Sequence, residues 1–244
     1  MTTSHRAFVD LHCHTRASFD SLSDPVKVAR TAVRRGITHL AITDHDTVDG
    51  ALRARDAGLE GLTVIVGEEV KTAAGDLICL FLERAVPPGL PIAETIAAVR
   101  EQGGLVGIPH PFDGYRNSVL RDEGLASIAS LVDYVETHNA RVMLGEGNEK
   151  AAAFAAANGL PGVAVSDAHT ILEVGVASIV VDLDPSTPAG LLAALSGAHL
   201  AMGRATYFVR LVTPVAKVVQ RARGVRRVQP ASAGDAAGDP EGRP

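Results

Sequence analysis

The chain has 244 residues, of which 46% are hydrophobic and 21% charged, and this composition excludes a chain that is disordered throughout. Its formal net charge of -5 argues against a broad basic face for duplex nucleic acid, although it leaves room for a local cationic pocket. We find no run of eighteen apolar residues and no hydrophobic leader, and we therefore expect a cytoplasmic protein with no membrane partner.

Short apolar runs alternate with segments of helical period, and Gly, Pro, Asp or Ser marks each change. This alternation is typical of repeated β-α units around a mainly parallel sheet. The predicted strands are 7–11, 39–43, 62–66, 77–82, 105–109, 132–137, 162–166 and 177–181. Helices are predicted to begin at Asp24-Pro25 and at Thr187-Pro188, and to cover 92–102, 124–131 and 149–158.

The number of such units indicates one domain. Seven or eight units in roughly 220 residues favour a single small (β/α) barrel over residues 1–223. Beyond Arg223 the chain becomes rich in Gly, Pro, Ala and Asp. A segment of that composition has too little apolar surface to offset the entropy of ordering, so we predict a disordered tail over 224–244.

Histidines and carboxylates recur where the predicted strands end, which is where barrels of this type carry their chemistry. The first strand runs into Asp10-Leu-His-Cys-His-Thr, and alternation along a strand points His12 and His14 the same way, so both imidazoles can bind one metal ion. Asp167 and His169 repeat this spacing in Ser166-Asp-Ala-His. The remaining candidates are Thr43-Asp-His-Asp, Gly67-Glu-Glu, Pro109-His-Pro and Asp20.

Each of these motifs also has an ordinary structural interpretation. Asp44 and Asp46 are suited to capping the next helix, Asp167 to a turn, and Glu68 and Glu69 to an exposed acidic pair. Each interpretation is reasonable for one motif alone. It is improbable that ligand-type residues stand at five separate strand ends by chance. The recurrence therefore favours a metal cluster, and imidazoles with carboxylates but no thiolates suit Zn, Mn or Fe better than Ca or Mg.

In their order and spacing these motifs resemble the polymerase and histidinol phosphatase (PHP) superfamily, over residues from about Val9 to about Gly203. The resemblance implies a distorted (β/α)7 TIM-like barrel that hydrolyses phosphoesters with two or three divalent metal ions (Mn, Zn or Fe). It implies three metal positions. The first takes His12, His14, Glu69 and Asp167; the second takes Glu69 and His110; the third takes Asp20, His45 and His169.

The chain departs from the superfamily pattern at the second position. Many members supply a further histidine from the strand after the glutamate, whereas this strand reads Gly75-Asp-Leu-Ile-Cys-Leu-Phe. A weaker site, a water ligand and His138 are the alternatives. His138 lies in Tyr134-Val-Glu-Thr-His-Asn, where it is equally suited to a polar loop start, and Glu136 is ambiguous in the same way.

The expected reaction is in-line attack by a metal-activated hydroxide on a phosphate group. His138 and Asp44 are the candidate proton donors to the leaving group, and Arg116 is the candidate phosphate-binding side chain because its planar fork contacts two oxygens at once. The chain has no Trp and only 4% aromatic residues, which favours a small phosphorylated metabolite or nucleotide over a long nucleic acid. The cationic segment from Lys217 to Arg227 keeps a short oligonucleotide, and hence a 5'-3' exonuclease, as an alternative.

Two further functions stay open. Barrel amidohydrolases also begin with His-x-His but hydrolyse C–N bonds, and the fold alone does not decide between the two reactions. A non-catalytic PHP barrel that serves as a scaffold module is the other alternative. Loss of ligands would be its mark, and nearly all of the expected ligands are present.

Overall fold

A computed structural model describes residues 6–114, 116, 120, 122–142 and 146–227. Nine strands form one sheet: β1 (Ala7–Asp10), β2 (His39–Ile42), β3 (Thr63–Lys71), β4 (Asp76–Leu80), β5 (Leu105–Ile108), β6 (Tyr134–Asn139), β7 (Gly162–Val165), β8 (Ser178–Val181) and β9 (His199–Ala201). The helices are α1 (Pro25–Arg34), α2 (Asp49–Asp56), α3 (Ile92–Arg100), α4 (Asp122–Ile128), α5 (Gly147–Ala157), α6 (Pro188–Leu195), α7 (Tyr207–Arg210) and α8 (Val212–Ala222).

The strand order is β7-β6-β5-β4-β3-β2-β1-β8-β9. Strands β1 to β3 pair in parallel, as do β5 to β7, while β4 is antiparallel to both of its neighbours. Strand β8 runs antiparallel to β1, and β9 runs antiparallel to β8. As a result the carboxyl ends of six strands and the first residue of β4 lie at one end of the sheet.

The sheet curls until its two halves meet. Beyond the ends of β1 and β7, Cys13 and Ala168 form a parallel bridge, and the His14 N–H donates to the Ala168 carbonyl at 2.8 Å. The Asp10 carboxylate accepts the Ser166 N–H at 3.0 Å across the same seam. The predicted distorted TIM-like barrel is confirmed, in the form of a nearly closed barrel.

Helices cover the barrel because their apolar faces pack on the sheet. One cluster of buried apolar side chains lies beneath α1 to α5, and a second takes side chains from strands β1 to β8 and from α6. Both predicted proline starts are confirmed. The Asp24 carboxylate accepts the Val26 and Lys27 N–H groups at 3.1 Å, and the Thr187 hydroxyl accepts the Gly190 N–H at 3.1 Å.

The structure differs from the predicted elements in two respects. Strand β3 continues to Lys71 because it forms a hairpin with β4, so Glu68 and Glu69 lie inside a strand and not at its end. Both side chains are fully buried, which makes the alternative of an exposed acidic pair wrong. Strand β9 and helices α2, α7 and α8 have no counterpart among the predicted ranges.

The chain beyond α8 remains against the barrel for a few residues. Arg227 donates to the Asp76 carboxylate at 2.6 Å, within the segment from 224 that was expected to form the tail. The rest of that expected tail, 228–244, lies outside the described residues. In the part of the chain that is described, no helix has the length and apolar character needed to cross a lipid bilayer.

Candidate metal centre

The strand ends bring seven of the predicted ligands into one buried cluster. His12 and His14 follow β1, His45 follows β2, Glu69 belongs to β3, and Asp167 and His169 follow β7. Asp20 comes from the loop between β1 and α1. The cluster consists of His12, His14, Asp20, His45, Glu69, Asp167 and His169, each at most 9% exposed.

The donor atoms of His12, His14 and Asp167 lie within 4.8 Å of one another, and Glu69 lies against the same two histidines. Glu69 Oε2 lies 3.3 Å from the Nε2 atoms of His12 and of His14. Asp167 Oδ1 lies 3.6 Å and 3.5 Å from the same two nitrogens. Four ligands bound tetrahedrally to one ion at about 2.1 Å stand about 3.4 Å apart. The four distances between carboxylate oxygens and imidazole nitrogens in this first set therefore match those around a bound metal ion.

Hydrogen bonds on the far side of each ring orient the histidines of the first set. His12 Nδ1 lies 2.6 Å from Glu136 Oε1, and His14 Nδ1 lies 3.0 Å from the Ser18 hydroxyl, which itself donates to Asp44. Both contacts place the ring proton on Nδ1, and the lone pairs of both Nε2 atoms then point into the cluster. These two nitrogens are only 2.9 Å apart, which suits a shared cation, either a proton or a metal ion.

A second set lies beside the first. Asp20 Oδ2 is 3.5 Å from His45 Nε2 and 3.2 Å from His169 Nε2. The His169 Nδ1 donates to the Asp167 carbonyl at 2.9 Å, so its Nε2 lone pair faces Asp20. With His14, these residues offer four donor atoms within 4.8 Å of one another.

Several oxygens of the cluster have no hydrogen-bond donor among the described residues. They are both carboxylate oxygens of Glu69, Oδ1 of Asp167 and Oδ1 of Asp20. An unpaired buried acceptor is costly, and carboxylates and imidazoles together form the donor set that a borderline divalent cation prefers. The residues present therefore fit metal ions at both sets.

The electrostatics of the cluster favour a bound cation. Burial raises the pKa of Glu69, but His45 and the other surrounding histidines outweigh it and hold that pKa well below its usual range. Burial lowers the pKa of His14, while Asp167 and Glu69 raise it to about 9. Both shifts show that the carboxylates attract positive charge, which is a proton in the absence of a metal, so metal binding releases protons here.

Strand β6 contributes two residues through a bulge. The register between β6 and β7 shifts between Glu136 and His138. Because of this extra residue, Asn139 joins Glu136 on the cluster side, where its amide donates to Glu136 at 2.9 Å and to Asp167 at 3.1 Å. The sequence analysis left Glu136 open and missed Asn139, since strict alternation places the two on opposite faces.

The same bulge turns His138 away from the ligands. His138 Nε2 donates to the Gly203 carbonyl at 2.7 Å, and its Nδ1 faces the Asn148 amide at 3.4 Å. The structure therefore does not place His138 at the second metal position.

His110 meets an arginine where the second metal was expected. Its Nε2 lies 3.4 Å from Glu69 Oε1 and accepts from Arg116 Nη1 at 3.0 Å. The Arg116 guanidinium also donates to Asp167 and, at 3.0 Å, to Asp113. Arg116 therefore engages the Nε2 of His110 in this structure, while His110 Nδ1 has no hydrogen-bond partner among the described residues.

Strand β4 adds a carboxylate in place of the absent imidazole. Asp76, its first residue, lies with His45 and Glu69 so that one donor atom of each is within 4.8 Å of the others. However, Asp76 already pairs with Arg227 at 2.6 Å and with Lys71 at 3.8 Å. Asp76 reaches the cluster only because β4 runs antiparallel to its neighbours, so that its first residue lies at the end of the sheet where the other strands finish. The sequence pattern does not show this direction.

Asp44 supports the ligands from behind. It is fully buried and accepts from the Thr15 N–H and Thr15 hydroxyl, both at 2.6 Å, and from the Ser18 hydroxyl at 2.8 Å. Burial raises its pKa. These three donors hold the carboxylate behind Ser18, which in turn orients His14, so the structure places Asp44 in a positioning role.

Two residues of the site hold a left-handed backbone. Asp167 has φ 50° and His110 has φ 27°. Non-glycine residues adopt this region rarely, and such strain concentrates at functional sites because it aims a side chain. Here it directs the carboxylate of Asp167 toward His12 and His14, and the ring of His110 toward Glu69.

Comparisons with known proteins agree with this geometry. The family model described as "PHP domain" matches residues 10–143, and the model described as "PHP-associated" matches residues 145–199. An uncharacterized protein of Methanocaldococcus jannaschii is 34% identical over 174 residues, which cover 70% of this chain and 69% of that protein. A 5'-3' exoribonuclease of Haemophilus influenzae is 30% identical over 118 residues, 43% of each chain.

A solved structure shares the fold. It is a two-domain protein of Bacteroides vulgatus described as containing a predicted PHP-like metal-dependent phosphoesterase, with a TM-score of 0.68 and 17% identity over 81% of this chain and 65% of that one. The ligand motifs, the barrel and the match over residues 10–143 together show that this chain belongs to the PHP domain family.

Proposed function

We propose that the protein is a metal-dependent phosphoesterase that hydrolyses a small phosphorylated metabolite or nucleotide. The observation that carries this proposal is the first donor set, in which carboxylate oxygens of Glu69 and Asp167 lie 3.3 to 3.6 Å from the Nε2 atoms of His12 and His14. Similarity to the exoribonuclease favours a phosphate ester over an amide as the bond that is broken.

Two divalent ions, Mn, Zn or Fe, fit the residues that are present. The first set would hold one ion, and Asp20, His45 and His169 would hold the other. Divalent cations at such sites supply Lewis-acid chemistry, since they neutralise phosphate oxygens and make water more acidic. The Arg116 guanidinium would take the position next to His110. The centre would then contain two metal ions and one arginine, whereas the resemblance implied two or three metal ions.

The protein's own residues would perform the remaining tasks. Arg116 lies against Asp167 at the edge of the first set, where its N–H groups would bind and orient a phosphate oxygen. Glu136 and Ser18 hold the rings of His12 and His14 in the tautomer that binds a cation. We assign no proton transfer to His138 or Asp44, since other groups already engage both side chains. A cytoplasmic location and the absence of a duplex nucleic-acid partner stay predictions of the composition.

Release of phosphate tests the proposal. The purified chain is assayed with Mn²⁺, Zn²⁺ or Fe²⁺ on phosphomonoesters, cyclic phosphodiesters, short oligonucleotides and amides. We expect hydrolysis of a phosphate ester that a chelator stops and that His12→Ala lowers at least about a hundredfold. The matched control is His199→Ala, an exposed histidine on β9, which should keep full activity.

Other results would point elsewhere. Hydrolysis of amides alone would favour the amidohydrolase alternative. Stoichiometric metal binding with no turnover of any ester would favour a non-catalytic module, and equal activity in His12→Ala and the unaltered protein would remove the first donor set from the mechanism.

A further inference from the structure

Helices α7 and α8 expose a continuous apolar stripe to solvent. Four large apolar side chains follow one another at spacings of three and four residues, which places them on one face of the helix. They are Phe208, Leu211, Val215 and Val218, and each is more than half exposed. Leu211 joins the two helices with helical backbone angles, φ -69° and ψ -21°, so the face continues from one helix to the other. A contiguous apolar surface about 15 Å long indicates a site that binds a partner.

The opposite face of α8 holds the helix to the barrel. Gln220 is buried, and its amide nitrogen donates to three carbonyls of the loop 16–21 at 2.7 to 3.0 Å. The Thr213 hydroxyl accepts from Arg141 Nη2 at 2.8 Å, and Ala216 is buried on the same side. Because these contacts fix the helix, the apolar stripe is not the face by which α8 packs, and it is present before any partner binds.

The segment that carries the stripe is strongly cationic. Residues 204–227 include seven arginines and lysines and no Asp or Glu, in a chain whose net charge is -5. Arg221, Arg223 and Arg226 are exposed. In the part of the chain that the structure describes, no carboxylate forms an ion pair with any of these three arginines. The surface therefore combines an apolar stripe with positive charge that is not neutralised.

This combination matches an anionic lipid surface better than the other partners of a basic helix. Lipid headgroups neutralise the cations while the acyl chains accept the apolar side chains. A nucleic acid would contact the cations but leave the aliphatic stripe in water. A second copy of the chain would cover the stripe but would bring two cationic segments together, which is unfavourable. Residues 228–244 offer little to cover the stripe, because Val228 is their one large aliphatic side chain.

We propose that the exposed face of α7 and α8 binds the surface of a membrane that contains anionic lipids. The helix would lie parallel to that surface, with Phe208 and Val218 at the boundary between headgroups and acyl chains and the arginines against lipid phosphates. The predicted absence of a membrane partner rested on the lack of a long apolar run, which a peripheral contact does not need. The proposal is independent of phosphoester hydrolysis, because no metal ligand belongs to this face.

Sedimentation with lipid vesicles tests the apolar stripe. The full chain is mixed with vesicles of phosphatidylcholine alone, or of phosphatidylcholine and phosphatidylglycerol in equal parts. We expect the apparent affinity to be at least about tenfold higher for the anionic vesicles and to fall as salt is added. Phe208→Ser/Val218→Ser should weaken binding to the anionic vesicles at least about tenfold, because less apolar surface is buried. The control Leu131→Ser/Leu183→Ser removes two exposed leucines elsewhere and should bind like the unaltered protein.

A second pair of variants tests the charge. Arg221→Gln/Arg223→Gln should lower the affinity for anionic vesicles about tenfold and leave the affinity for neutral vesicles unchanged. Arg30→Gln/Arg34→Gln, a matched pair of exposed arginines on α1, should change neither affinity. All the substituted side chains are exposed, so the far-ultraviolet circular dichroism of each variant should match that of the unaltered protein.

Four results would overturn the proposal. Two are equal affinity for the two kinds of vesicle and full binding by Phe208→Ser/Val218→Ser. The third is self-association of the chain without vesicles that this double variant abolishes, since the stripe would then be an interface between copies. The fourth is binding of a single-stranded oligonucleotide that the double variant abolishes, which would assign the stripe to nucleic acid.

Discussion

The Nε2 atoms of His12 and His14 lie 2.9 Å apart, so that one cation, a proton or a metal ion, contacts both nitrogens. The contacts behind each ring hold the two nitrogens in this position. The Ser18 hydroxyl accepts from His14 Nδ1 and from the His45 N–H, and it donates to Asp44. Ser18 thus connects a buried carboxylate with residues of both donor sets.

Ser18→Ala should weaken metal binding while leaving every ligand in place. Loss of an orienting partner behind a ligand lowers metal affinity by about 10- to 100-fold. Calorimetric titration of the metal-free protein with Mn²⁺ measures the change. The control is Ser127→Ala, because the exposed Ser127 hydroxyl donates only to the Gly124 carbonyl in α4. An affinity for Ser18→Ala within twofold of the unaltered protein would show that Ser18 does not orient His14.

Gly50→Ala should destabilise the fold. A Cβ at Gly50 would stand 1.9 Å from Asp44 Oδ2 and 2.3 Å from the Thr15 hydroxyl oxygen, so α2 approaches Asp44 at a distance that only glycine permits. We expect the free energy of unfolding to fall by about 1–3 kcal/mol in urea denaturation, because this overpacking exceeds the gain from helix propensity. Gly197→Ala, with no atom within 4 Å of its added Cβ, should change little. Equal stability of the two variants would contradict the close approach.

Glu68 should make stability fall as the pH rises. Burial raises the pKa of Glu68 to about 8, although the Val86 N–H donates to it at 2.8 Å. Because the folded-state pKa lies above the unfolded value of 4.5, the folded chain holds a proton that the unfolded chain has lost between these pH values. Glu68 therefore contributes stability that is fully present below about pH 4.5 and is lost as the pH rises through about 8.

Glu68→Gln removes this titration. Denaturation at pH 6, 7 and 8 should show the unaltered protein losing about 1 kcal/mol more per pH unit than Glu68→Gln over the first of these intervals. The exposed Glu60 supplies the control, and Glu60→Gln should keep the pH slope of the unaltered protein. Parallel slopes for the unaltered protein and Glu68→Gln would mean that Glu68 is ionised in the folded state.

Much of the barrel follows from the sequence because its strands are buried on both faces. All eight predicted strands are present, since runs of Val, Ile and Leu leave few alternatives. Strand β9 has three residues with a partly exposed pattern, which is too short to produce a signal. The extension of β3 could not be predicted, because glycine and glutamate have low strand propensity. These residues are extended because they pair with β4.

The part of the site that could be predicted from the sequence is the set of ligands that lie in or near motifs at the ends of predicted strands. All seven residues of the two donor sets could be named from the sequence, six because they lie in motifs that follow predicted strands and Asp20 because it follows His14 closely. It did not foresee the bulge in β6, which brings Asn139 into the cluster and turns His138 out, since a register shift leaves no trace in the residue pattern. The meeting of Arg116 with His110 depends on a loop conformation, which composition does not determine.

Metal content tests the central claim most directly. The purified chain is saturated with Mn²⁺, freed of excess metal by gel filtration, and analysed by mass spectrometry of its metal ions. We predict two ions for each chain in the unaltered protein and a loss of about one in His12→Ala, because His12 belongs to the first donor set alone. A chain that retains no ion, or the same metal content in His12→Ala, would contradict a centre built from these residues.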